Sequence, residues 1–155
     1  MQLTRHADYG LRILIYLTLA PDRRVAAAEI ADAFAISQNH VMKVIRHLAE
    51  HGLILTHRGK GGGVVLAMAP QHIRVGRVVR LLEGKTEVVN CTSPPCVVLP
   101  ACRLRTALAG AFEAFLAELD NYTLDQLIEH REQALRELLP VDRTAPPAVA
   151  ARQGD

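Results

Sequence analysis

The chain has 155 residues, half of them hydrophobic, enough for one cored domain with an appended dimerisation element. Its net charge of +2 conceals two unlike halves. Eleven Lys/Arg stand against five Asp/Glu in residues 1–80 and seven against eleven in residues 81–155, leaving the halves at +6 and −4. A basic N-terminal half is the footprint of a phosphate-binding surface. The longest apolar run, Leu11 to Ala20, falls short of the roughly 20 residues that span a bilayer. No signal-peptide pattern opens the chain, so the expectation is a cytoplasmic protein with no membrane partner. Thiols stay reduced there, and three cysteines cannot all pair within one chain, which disfavours a disulfide framework.

Thr4 is placed to cap a helix running to about Leu19, whose apolar residues nearly encircle it and predict burial on more than one side. Pro21-Asp22 ends it. Ala26 to Ala33 reads as a short alanine-rich helix, Phe34-Ala35-Ile36 as a tight connection, and Ser37 as the cap of a second helix to about Glu50. Gly52 supplies its stop. Leu53 to His57 and Val64 to Met68 are β-prone runs around Arg58-Gly59-Lys60-Gly61-Gly62-Gly63, which reads as a hairpin. Ile73 to Leu82 predicts another short helix. From Ala101 to Asp120 a long helix repeats Leu104, Leu108, Phe112, Phe115 and Leu119. Thr123-Leu124-Asp125-Gln126 matches a capping box for a last helix to Leu139.

The predicted fold is mainly α with a small β-hairpin wing: a winged helix-turn-helix plus a long C-terminal helix. Its regulator domain spans 1–139, with the helix-turn-helix at 26–50, the wing at 53–68, a cysteine-bearing loop at 84–102 and the long helix at 101–120. Residues 140–155 read as a mobile tail. On the second helix of the pair, Val41, Val44, Ile45 and Leu48 share an inward face. Gln38, which opens the helix, is a candidate DNA contact, and Asn39, His40 and Lys43 are positioned to reach base edges in a major groove, with Arg46 and His47 nearer phosphate. Arg58 and Lys60 put cations on the wing tip, where Arg58 can enter a minor groove. The glycine run opens no helix and lacks the Gly-Lys-Ser/Thr ending, which argues against a nucleotide-binding loop.

All three cysteines fall in one segment, Cys91, Cys96 and Cys102, with C-x4-C-x5-C spacing. Thiolates are preferred ligands of iron–sulfur clusters and zinc. Pro94, Pro95 and Pro100 restrict the segment, and Pro100 suits a helix start that would place Cys102 in a first turn, where the helix dipole favours thiolate. Structural zinc takes four protein ligands, and this segment offers three cysteines and no histidine. An incomplete thiolate set suits a cluster that borrows a fourth ligand from elsewhere. A zinc site on a DNA-binding protein remains an alternative, as does a thiol redox catalyst, although no C-x-x-C pair is present.

The opening Leu3-Thr4-Arg5-His6-Ala7-Asp8-Tyr9-Gly10-Leu11-Arg12, the wing Arg-Gly-Lys-Gly-Gly-Gly and the three cysteines before a long helix together resemble the IscR/NsrR family of iron–sulfur winged-helix regulators. The resemblance covers about residues 1–139 and is strongest to the NsrR branch of nitric-oxide-sensing repressors. It implies Cys91, Cys96 and Cys102 as ligands of a [4Fe-4S] or [2Fe-2S] cluster, the former favoured, and a homodimer joined through the long helix. The IscR branch carries a histidine three residues after the last cysteine; this chain has Arg105. In NsrR-like proteins an aspartate of the first helix in the partner subunit supplies the fourth ligand, and the matching position is Asp8. Read locally, Asp8 is an acid near a helix start, paired with Arg12. The implied function is a double-stranded-DNA-binding repressor whose cluster controls operator binding and responds to nitric oxide, or a relative sensing iron–sulfur or redox status.

Overall fold

In the computed structural model, which describes residues 2–84 and 87–141, helix α1 (Arg5–Leu19) starts where the Thr4 hydroxyl accepts a hydrogen bond from the Ala7 N–H at 3.2 Å. Ile13, Leu14, Tyr16, Leu17 and Leu19 are all buried, as an apolar ring around a helix requires. Helix α2 (Ala27–Ala33) and helix α3 (Gln38–Glu50) form the helix-turn-helix. The Ser37 hydroxyl accepts from the His40 N–H at 3.4 Å, and Val41, Val44, Ile45 and Leu48 bury the inward face of α3 in the same core as α1.

Strands β1 (Ile54–His57) and β2 (Gly63–Leu66) pair antiparallel, with Ile54 opposite Leu66 and His57 opposite Gly63. Val25, just before α2, exchanges two backbone hydrogen bonds with Val64 at 3.0 and 2.8 Å. The wing is therefore tied to the helix-turn-helix by backbone as well as by packing.

Helix α4 (Val75–Glu83) packs on α1 at a point where neither has room to spare. A Cβ on Gly10 would lie 2.2 Å from Leu82 Cδ1. Helix α5 (Leu104–Leu119) crosses α4 equally closely, since a Cβ on Gly76 would lie 2.3 Å from the Leu116 carbonyl oxygen. Val75, Val79, Phe112 and Leu116 form a second, smaller core at this crossing. Arg80 reaches from α4 to Asp120 at the end of α5.

Three expectations change. The long helix begins at Leu104 and not at Ala101, because Leu99–Ala101 closes a 3-10 turn and Cys102 is extended at φ −80°, ψ 117°. Cys102 thus lies outside the first turn, where the helix dipole acts. The last helix is two, α6 (Leu124–Ile128) and α7 (Glu132–Leu138), separated at His130. His130 has φ 59°, a left-handed conformation that cannot continue a right-handed helix. Of the expected tail, Val141 is buried and its carbonyl accepts from Arg23 Nε at 3.1 Å. Residues 142–155 lie outside the described residues.

Candidate nucleic-acid interface and cysteine loop

Gln38, Asn39, His40, Lys43 and Arg46 are all exposed on α3, and Asn39, Lys43 and Arg46 lie on the side away from its buried face. The His40 ring is held by the Ser37 hydroxyl at 2.9 Å from Nδ1 and lies 6.2 Å from the Tyr9 ring of α1. His47, expected nearer phosphate, also packs against α1. It is half-buried, its Nδ1 is 2.8 Å from His6 Nε2, and its ring lies 5.0 Å from that of His6 and 4.8 Å from that of His51. Its position on α3 turns it toward α1. The His6 pKa is lowered, first by burial and then by the positive potential of His47 and Lys43, against an opposing effect of Glu83.

Arg58 and Lys60 are exposed at the wing tip, and Arg24 brings a third cation there, its Nη1 3.5 Å from the Gly61 carbonyl. Sequence alone does not single out Arg24. Its only local signal is the adjoining Val25, whose bridge to Val64 sets Arg24 beside the wing. Between α3 and the wing runs a cleft of about 540 Å³. Ala26, Ala27, Ile45, Ala49 and Val64 give it apolar walls, with Arg46 and Arg58 among its other lining residues.

The three thiols are free and half-buried. Successive turns carry them: the Cys96 N–H donates to the Cys91 carbonyl at 3.1 Å and the Cys102 N–H to the Leu99 carbonyl at 3.3 Å. The Asn90 side-chain oxygen accepts from the N–H groups of Thr92 and Ser93, both at 3.0 Å, and so fixes the turn into which Cys91 is set. Arg105 of α5 pairs with Glu87 at 3.1 Å, a clasp joining the two ends of the loop. Asp8 accepts from Arg12 Nε at 2.8 Å. Among the described residues no group of three or more His, Cys, Asp or Glu side chains is arranged to hold a metal ion, so the three thiols and Asp8 do not form such a group within this chain. Their chemistry nonetheless fits an iron–sulfur cluster, being soft sulfur donors confined to one loop.

Residues 3–130 match the model of the Rrf2 family, described as an iron-dependent transcriptional regulator. The chain belongs to the Rrf2 family. It is a DNA-binding transcriptional regulator and not an enzyme, and Rrf2 regulators act as dimers. Among solved structures it is similar to CymR (YrzC), the global cysteine regulator of B. subtilis, with 27% identity over 84% of this chain and 98% of that one and a TM-score of 0.67. The oxidised form of Staphylococcus aureus CymR shares 28% identity over 83% of this chain and 97% of its own, with a TM-score of 0.58. T. potens IscR has the same fold, with 23% identity over 86% of this chain and 90% of its own and a TM-score of 0.67. The winged-helix architecture expected from the sequence is that of these Rrf2 proteins.

Proposed function

We propose that this Rrf2 regulator is a repressor whose operator binding is controlled by an iron–sulfur cluster and released by nitric oxide. Cys91, Cys96 and Cys102 would hold the cluster, with Asp8 of a second copy as the fourth ligand. We favour [4Fe-4S] over [2Fe-2S]. When bound, such a cluster supplies iron that reacts with nitric oxide. The dimer, joined through α5, would set two α3 helices in half-sites about one helical turn apart.

The observation that carries this reading is the path from the cysteine loop to α3. The loop follows Glu83 directly, and the Glu83 carboxylate accepts from the Thr4 N–H at 2.7 Å. Thr4 caps α1, and two residues on, His6 meets His47 of α3. A change in the loop therefore acts on the start of α1 and through it on the orientation of α3. Since DNA affinity requires both copies of α3 to dock together, a small rotation costs much of the binding, provided the intact cluster favours the docked arrangement.

Anaerobic purification followed by operator binding with and without nitric oxide tests the proposal. Cluster-loaded protein should show visible absorbance and bind, and nitric oxide should release it; equal binding by loaded and cluster-free protein overturns the mechanism. In Cys96→Ala the absorbance should vanish. A second reading, regulation by cysteine status, is favoured by the identity to B. subtilis CymR, and a colourless protein whose operator binding is indifferent to nitric oxide would select it.

A further inference from the structure

Met42 is the one large apolar side chain of α3 that is exposed among the described residues, at 47% of its surface. It lies three residues after Asn39 and four before Arg46, both exposed, so it shares their side of the helix. Beneath it the apolar walls of the α3–wing cleft continue through Ile45 and Ala49. A lone exposed apolar residue is ordinary on a protein surface. This one sits at the mouth of an apolar cleft lined also by Arg46 and Arg58, which supply charge complementary to a DNA strand.

We propose that Met42 reads the 5-methyl group of a thymine in the major groove. That methyl is the only apolar group the base edges display there, so it is the one feature that an apolar side chain on a reading helix can distinguish. The unbranched thioether adapts its shape to such a contact. Arg46 and Arg58 hold the strand that separates the groove entered by α3 from the groove reached by the wing. The proposal rests on α3 being the DNA-reading helix.

The test uses the full chain, prepared anaerobically, to select duplexes from a random library. Each thymine of the selected site is then replaced singly by deoxyuridine, which lacks the methyl, and affinities are measured for the wild type, Met42→Ala and Met42→Gln. At one thymine per half-site, deoxyuridine should weaken wild-type binding roughly fourfold, the effect of one buried methyl(ene) group. The same replacement should leave both variants unaffected. Selection of a site with no such coupling overturns the role of Met42 and leaves α3 as the reader. Failure to select any sequence, or a site indifferent to replacement of Asn39 and Lys43, overturns both.

Discussion

His6 Nε2 and His47 Nδ1 lie 2.8 Å apart, joining the first turn of α1 to the last turn of α3. The contact is specific, since a ring nitrogen on each side is used and the rings lie tilted 35° to one another. His6→Ala removes it while leaving the buried faces of both helices intact. A hydrogen bond is worth about 1 kcal/mol, so operator affinity should fall about fivefold with visible absorbance unchanged. His6→Gln, whose amide offers both a donor and an acceptor, should recover part of the loss. Unchanged affinity in His6→Ala would show that α3 is oriented without this contact.

Arg58 tests the wing. If it meets a phosphate, Arg58→Ala should weaken binding to all sequences alike and lower the slope of log affinity against log salt by about 1. Arg24→Ala should act in the same direction, because its guanidinium stands at the same tip. Titrations from about 50 to about 200 mM salt measure both, and a slope unaltered in Arg58→Ala removes that residue from the phosphate-contacting set.

Gly76→Ala should destabilise the protein. Its new methyl would meet the Leu116 carbonyl oxygen at 2.3 Å, and backbone cannot swing aside as a side chain can. Overpacking of this kind costs about 1–3 kcal/mol, visible as a lower midpoint of thermal unfolding. Loosening α5 from α4 should also weaken dimerisation, measured by sedimentation.

Glu29 should leave a signature in the pH dependence of stability. Burial alone would raise its carboxyl pKa, but hydrogen bonds from Arg23 and Tyr16, the latter at 2.6 Å, and the charge of Arg23 outweigh it and hold the carboxyl below its ordinary 4.5. A depressed carboxyl contributes stability that is fully present above about pH 4.5 and lost as pH falls through the folded-state value. Urea unfolding between about pH 7 and about pH 3 should show this decline in the wild type. Glu29→Gln should flatten it and be less stable at neutral pH by about 1–3 kcal/mol, because it leaves Arg23 without its carboxylate partner.

Much of the reading head is legible because its signals are local. Thr4 and Ser37 mark helix starts through their own hydroxyls, and the three- and four-residue spacing of Val41, Val44, Ile45 and Leu48 announces the buried face of α3. What escapes depends on crossings between distant elements. His47 looks like an outward cation until α1 brings His6 beside it. Pro100 looks like a helix start, but the 3-10 turn at Leu99–Ala101 absorbs it. No local pattern announces that Arg23 bonds the Val141 carbonyl 118 residues away, or that Arg105 closes the cysteine loop on Glu87.

Leu3 and Leu11 pack against both hydrophobic cores, one under the reading head and one at the α4–α5 crossing. Helix α1 is thus common property, and the chain has no clean seam at which to exchange a reading head. A chimaera that took residues 26–66 from a relative with another operator would keep this α1, and its new α3 would have to complement Tyr9 and His6 before it could read DNA at all. Evolving a new binding sequence on this scaffold therefore constrains the outer side of α3 far less than the side that faces α1. Diversity among such regulators should concentrate at positions such as Asn39 and Met42.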